Sequence, residues 1–166
     1  MMTSQYAQRR GAIATHMAKP FTDRTGSGGH IHIHVADAST DENLFLDEDD
    51  PQGLGLSKQA YNFIGGIFAH APALCAVMSP TVNCYKRLQV GSALMGSRSG
   101  FLWTPAFVSY GDNNRTQMIR TAGPGHLEDR TMSAACNPYL AFGAYLTAGL
   151  DGVRRKLDPG KANLGN

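Results

Sequence analysis

Apolar residues recur at helical spacing in two long segments of the chain. From Leu56 to Met78, the residues Ala60, Phe63, Ile64, Ile67 and Phe68 fall on one face of a 3.6-residue period. Ser57 is placed to cap the start of this segment. Pro72 lacks an N–H and clashes with the turn before it, so the spacing predicts two consecutive helices rather than one. The second segment opens at Asn137-Pro138, a cap residue followed by a proline at the first helical position. In it Leu140, Tyr145, Leu146, Leu150, Val153 and Leu157 fill one broad apolar face. Arg154, Arg155 and Lys156 come where the helix dipole favours cations, and Pro159-Gly160 stops the helix. Ser4 to Arg10 reads as the last turns of a further helix, ended at Gly11. Such a helix at a start methionine needs a neighbour, which leads to the expectation that the natural chain continues upstream.

Between these helices the pattern shortens. Ala12–Ala18, Gly29–Val35, Ala106–Tyr110, Thr116–Thr121 and Leu127–Thr131 read as strands separated by polar turns. Short strands with two long helices predict an α+β fold, an antiparallel sheet with flanking helices. Asp37 to Pro51 carries seven of the thirteen acids and reads as a solvated loop.

Composition narrows the class without naming it. With 166 residues, 42% hydrophobic and 17% charged, the chain is long and apolar enough for one packed domain. A net charge of +2 gives no electrostatic case for nucleic acid. No apolar run reaches the roughly 20 residues of a membrane span, and MMTSQYAQRR has no apolar leader core. Cys75, Cys84 and Cys136 are odd in number and widely spaced, fitting small buried hydrophobes in a reducing cytoplasm. The 19 glycines include three groups, Gly26–Gly29, Gly91–Gly100 and Gly123–Gly125, where bare backbone can approach a ligand.

The candidate chemistry lies at Thr25–Val35, TGSGGHIHIHV. Residues two apart on a strand share a face, so His30, His32 and His34 point one way while Ile31 and Ile33 face the core. Neutral imidazoles so aligned are suited to a metal or to phosphate oxygens. Glu128 and Arg130 repeat this alternation after the Gly123-Pro124-Gly125 turn, and a carboxylate beside an imidazole makes a partial ligand set for Mg2+ or Mn2+. Arg87, Arg115 and Arg120 are available to match carboxylate or phosphate oxygens. Apart from Glu128 and the acidic loop, few acids stand in position to complete a metal site.

Taken together, KPFTDRTGSGGHIH, GLSKQAYNFIGGIFAHAPAL, NCYKRL, DNNRT…IR and NPYLAFGAYLTAGLDGVRRKLDPG resemble the glutamine synthetase family, in family order from about Thr15 to Gly160. The resemblance implies that residues 1–166 are part of the catalytic domain of an ATP-dependent γ-glutamyl ligase. In such enzymes ATP phosphorylates the γ-carboxylate of glutamate, and ammonia then displaces the phosphate. It implies that His30 and Glu128 are metal ligands, with Mg2+ or Mn2+ as cofactor. His32 corresponds to a nucleotide-phosphate contact, and His126 stands where an arginine near ATP is common. Gly26 lies in the loop bordering the glutamate site. Arg87 and Arg130 would hold substrate carboxylates, Arg115 and Arg120 would neutralise the transferring phosphate, and Arg115 and Arg130 are the catalytic assignments. His34 and His16 match no role.

Three departures from the family pattern matter: Thr25 before GSG, His126, and a Gly91–Pro105 segment without a single acid, with Trp103 near the position of the family's ammonium-binding acid. An apolar pocket suits an alkylamine better than ammonium. The closest resemblance is therefore to type III glutamine synthetases and γ-glutamylmethylamide synthetases, with glutamate, ATP and ammonia or a small alkylamine as substrates. The family resemblance further implies a cytoplasmic, ring-shaped homo-oligomer, an upstream β-grasp domain and upstream carboxylates. The expectation is a truncated gene or a cut chain, inactive alone. The alternative is a metal- or nucleotide-binding fragment without chemistry, or a folded relic.

Overall fold

A computed structural model describes residues 2–89 and 104–165. In chain order the elements are α1 (Met2–Gln8), β1 (Ile31–Ile33), α2 (Lys58–Ala69), α3 (Ala71–Met78), α4 (Val82–Arg87), β2 (Phe107–Asp112), β3 (Gln117–Gly123), β4 (His126–Asp129) and α5 (Pro138–Arg155). The strands form one sheet in the order β1-β4-β3-β2. The α+β class holds, but the all-antiparallel sheet does not. β1 and β3 flank β4 antiparallel, whereas β2 runs parallel to β3. The connection between β2 and β3 is residues 113–116. Asn113 takes φ +43°, and the Asn114 side chain accepts from the Thr116 N–H and hydroxyl. The turn is built by asparagines, whose side chains tolerate the left-handed region and bond the backbone two residues on.

The segment Ala12–Ala18 is not a strand either. Ile13 is 92% exposed and has no core face to alternate against. The chain instead folds back, with the Ser27 N–H on the Ala18 carbonyl and the Lys19 N–H on Asn83 Oδ1. Asp50 departs from the solvated loop predicted for it. It is buried, and its carboxylate accepts from the N–H groups of Gln52, Leu54 and Leu56 and from the Tyr61 hydroxyl. One acid thus stitches the loop to the first turns of α2. The helix α4 was not read from the sequence; Thr81 caps it. Residues 90–103, which include Trp103 and most of the acid-free segment, lie outside the described residues.

The long helices form where the pattern places them. Ser57 caps α2 through the Ala60 N–H, and α2 and α3 meet at a 75° bend with Pro72 in the first turn of α3. Asn137 caps α5, and Lys156 closes it in the left-handed region. The face that α5 buries is a finding. Ala141, Tyr145, Ala148, Gly149 and Gly152 are inside, while Leu140, Leu146 and Leu150 are 63%, 45% and 55% exposed. The small residues win because α2 and α5 approach backbone to backbone. A Cβ on Gly66 would lie 2.2 Å from the Ala148 carbonyl oxygen, and one on Gly152 2.4 Å from the Gly66 nitrogen. Phe63 lies directly over Gly149. Around this seam Phe45, Phe63, Ile64, Ile67 and Tyr145 pack with Ile31, Ile119 and Leu127 from the inner face of the sheet. Burying each such side chain contributes about 2–3 kcal/mol.

Candidate active site

The outer face of the sheet carries charge in rows. Register places His32 of β1 opposite Glu128 of β4, and Glu128 opposite Arg120 of β3. One residue pair on, Ile31 faces Asp129, and just beyond the strands His30 and Arg130 meet with Nδ1 and NH1 3.4 Å apart. Alternation therefore aims four side chains, His30, His32, Arg120 and Arg130, at one carboxylate.

Glu128 is that centre, 3% exposed. Its Oε1 lies 2.9 Å from His30 Nδ1, 2.8 Å from Arg130 NH1 and 3.7 Å from His32 Nε2. Its Oε2 forms an ion pair with Arg120 Nε, and Arg120 NH1 donates to Asn113 Oδ1. Burial works against its charge, but Arg130, Arg120 and His30 together hold its carboxyl below the usual glutamate range. His30 moves down as well, through burial first and then the Arg130 guanidinium. At neutral pH the site thus pairs a carboxylate with a neutral imidazole.

By chemistry the pair suits a divalent cation, an imidazole nitrogen beside a carboxylate oxygen, and in this structure the two atoms contact each other directly at 2.9 Å. Gly28 keeps the neighbouring space open, since a Cβ there would lie 2.7 Å from His30 Nε2. Among the described residues no three histidine, cysteine or acidic groups converge as a complete metal set. Two candidate donors, His30 and Glu128, stand together there.

The remaining sequence-derived residues surround it. His32 is half exposed and its Nδ1 lies 2.9 Å from His126 Nε2, so these two histidines form one unit beside the carboxylate. Burial and then the nearby His32, His34 and Arg120 press the His126 imidazole toward its neutral form. His34 adds to that field from an exposed position. Arg130 is buried, and its Nε donates to the Arg115 carbonyl, while the exposed Arg115 leads into β3. Arg87, 4% exposed, donates to the carbonyls of Arg130, Thr131 and Met132. Its fork therefore grips the chain just after β4. Gly26 lets that arrangement close, because a Cβ there would stand 2.3 Å from the Ala18 carbonyl and 3.1 Å from Arg87 Cγ. His16 joins none of these groups.

One residue escaped the sequence reading. Asp129 lies between Glu128 and Arg130 but points to the opposite, buried face, 1% exposed. Its Oδ1 accepts the Thr131 N–H, and the Tyr145 hydroxyl stands beside it without full hydrogen-bond geometry for Oδ2. Burial raises its carboxyl to about 6. Strand alternation was the available signal, since any residue between two outward charges must face inward.

With this geometry in place, comparison with known proteins is informative. The family model described as glutamine synthetase, catalytic domain, matches residues 1–166. A glutamate–methylamine ligase from Methyloversatilis universalis is 48% identical over 160 residues, covering 96% of this chain and 35% of that protein. A glutamine synthetase from Rhizobium leguminosarum bv. phaseoli is 44% identical, with the same coverage of each. Among solved structures, GmaS without ligand superposes with a TM-score of 0.82 at 42% identity, covering 98% of this chain and 34% of GmaS. The GmaS complex with ADP gives 0.82 at 43% identity, covering 98% of this chain and 36% of that one. The chain spans about a third of the length of the curated relatives it matches.

Proposed function

Because this chain belongs to the glutamine synthetase catalytic-domain family, we propose that it provides the His30–Glu128 part of the active site of an ATP-dependent glutamate–amine ligase. Its relatives are glutamate–ammonia and glutamate–amine ligases. The observation that carries the reading is the convergence of His30, Arg120 and Arg130 on the buried carboxylate of Glu128. A divalent cation held by His30 and Glu128, Mg2+ or Mn2+, would neutralise charge on the nucleotide phosphates when bound.

Each side chain then has a task. The glutamate γ-carboxylate oxygen attacks the terminal phosphorus of ATP, the bond to ADP breaks, and an acyl phosphate forms. The amine nitrogen next attacks the acyl carbon, phosphate leaves, and the nitrogen loses a proton to solvent. Arg115, in the turn before β3, and Arg120, in the middle of β3, offset the charge on the transferring phosphoryl group. Arg130 takes a substrate carboxylate. Arg87 assists by fixing the main chain at residues 130–132, and Gly26 leaves the backbone close enough to border the glutamate. The His32–His126 pair contacts the nucleotide phosphates.

The acid-free Gly91–Pro105 segment and the 48% identity to a glutamate–methylamine ligase both favour a small alkylamine over ammonia. Isothermal titration of the 166-residue chain with Mn2+ and ATP, with a phosphate-release assay alongside, tests the reading. Metal binding that Glu128→Gln abolishes, with no turnover by the chain alone, is the expected result. Absence of metal binding overturns the assignment of His30 and Glu128 as metal donors, and turnover by the isolated chain overturns the claim that its site is partial. Metal and ATP binding that never supports amide formation, even in a full-length enzyme carrying this segment, would favour a binding module. Competing methylamine against ammonia in that enzyme decides the amine, and a strong ammonia preference overturns the alkylamine assignment.

A further inference from the structure

His32 and His126 come from neighbouring strands and meet on the outer face of the sheet. Register sets His32 against Glu128 and Ile33 against Leu127, so His126 lies two residues from Glu128 on the same face. His32 Nδ1 and His126 Nε2 are 2.9 Å apart, and the ring centroids are 5.0 Å apart with the planes at 52°. A hydrogen bond between two imidazole nitrogens holds one proton between two lone pairs, and a metal ion can stand in that proton's place. The pair is open to solvent, with the His32 side chain 49% exposed and His126 half-buried. Glu128 Oε1 stands 3.7 Å from the other ring nitrogen of His32. A carboxylate on that side favours the proton there and leaves Nδ1 with its lone pair. The cation nearest to this unit, Arg120, is already bound by Glu128 and Asn113, which offsets its charge.

We propose that His32 and His126 form a second cation site, separate from the His30–Glu128 pair, that takes Zn2+ in preference to Mg2+. The donor set selects the ion. Two imidazole nitrogens without an oxygen suit a borderline transition ion, whereas Mg2+ prefers oxygen donors and gives up its water reluctantly. The His30–Glu128 pair, which includes a carboxylate oxygen, has the opposite preference. Two sites side by side thus sort two classes of ion by softness. His34 presses on the charge of His126, but no three such groups converge as a ligand set among the described residues. The ion therefore keeps positions open for water or for the oxygen of an anion. The site depends on histidine at position 126, because a guanidinium there can meet a phosphate but has no lone pair for a metal. Only a link between this ion and nucleotide phosphates rests on the ligase reading; the site itself rests on the two rings.

Calorimetric titration of the full 166-residue chain with Zn2+, in a large excess of Mg2+, tests the site, and Cu2+ serves as a spectroscopic probe of the same donors. One Zn2+ is expected to bind despite the Mg2+, with His126→Arg weakening it by roughly tenfold or more, the scale of disturbing a metal's ligand shell. Electron paramagnetic resonance of the Cu2+ form should show coupling to two imidazole nitrogens, reduced to one in His126→Arg. His32→Gln, at the more exposed ring, is the second variant and should weaken Zn2+ in the same way. Circular dichroism and melting temperature show that each variant folds. Glu128→Gln should keep the two-nitrogen Cu2+ signal while losing Mn2+. Zn2+ displaced by Mg2+, or bound equally well by both histidine variants, overturns the proposal. So does a two-nitrogen signal that vanishes in Glu128→Gln, since the ion would then sit at the His30–Glu128 pair. The ligase reading fails separately, if a full-length enzyme carrying this segment binds Mn2+ and ATP but forms no amide, and that result leaves the Zn2+ site standing.

Discussion

The α2–α5 seam and the charged row of β1, β4 and β3 lie on opposite sides of the same sheet and are built in opposite ways. At the seam Gly66 and Gly152 let main chain meet main chain, and Gly149 leaves room for the Phe63 ring. On the row the contact is made entirely by long side chains, three cationic or imidazole groups gathered round one carboxylate. The seam tolerates no added atom, whereas the row tolerates no subtracted charge. Shape fixes the first region and charge balance fixes the second, so the two should fail under different substitutions and different conditions.

The largest break is expected at the seam. Gly66→Val drives a branched side chain into the Ala148 carbonyl and the Gly152 backbone, and should cost about 4 kcal/mol or more by forcing the helices apart. Urea unfolding at several pH values measures it, and the loss should not depend on pH. A pH-dependent loss, or one below about 1 kcal/mol, would show that the helices can slide.

Next comes the row. Glu128→Gln leaves Arg120 and Arg130 without their buried counter-charge and should cost about 3 kcal/mol at pH 7. This loss must depend on pH. The folded carboxyl sits below its ordinary 4.5 because Arg130, Arg120 and His30 outweigh burial. Its stabilisation is therefore complete above about 4.5 and is lost as pH falls through the lower folded value. Wild type and variant should converge at low pH, and parallel curves would sink the electrostatic account.

The smallest effect sharpens the contrast within a single strand. Asp129 shares β4 with Glu128 but faces the dry side, and burial lifts its carboxyl to about 6 from an ordinary 3.8. The folded state then holds a proton that the unfolded chain releases, so stability falls as pH rises from about 4 to 6. Asp129→Asn keeps an oxygen for the Thr131 N–H and should remove that fall, gaining on the order of 2 kcal/mol at pH 7. A variant destabilised at pH 7 would mean that the charge beside Tyr145 is needed in the fold.

Legibility in the sequence follows the same division. Periodicity, Ser57, Pro72 and Asn137 located both long helices, because caps and helix breakers act locally. Alternation aligned His30, His32, Glu128 and Arg130 on one face, because strand geometry has a period of two. What failed was non-local. The buried side of α5 is decided by where glycine allows another backbone to come close, and the leucines that dominate its pattern lost to Ala148 and Gly149. The parallel pairing of β2 with β3 is a matter of sheet register, and the grip of Arg87 on the carbonyls after β4 spans more than forty residues of chain. No single-segment pattern encodes either.

The strand β1 has three residues and one neighbour, whereas β3 is bonded on both sides. Opening an edge strand this short breaks few hydrogen bonds, so β1 should be among the first elements to detach in local unfolding. His30 enters the sheet on that strand, 100 residues before Arg130. An ion gripping both His30 and Glu128 would act as a rivet across this excursion of chain, turning the concentration of a small cofactor into local order at the sheet edge.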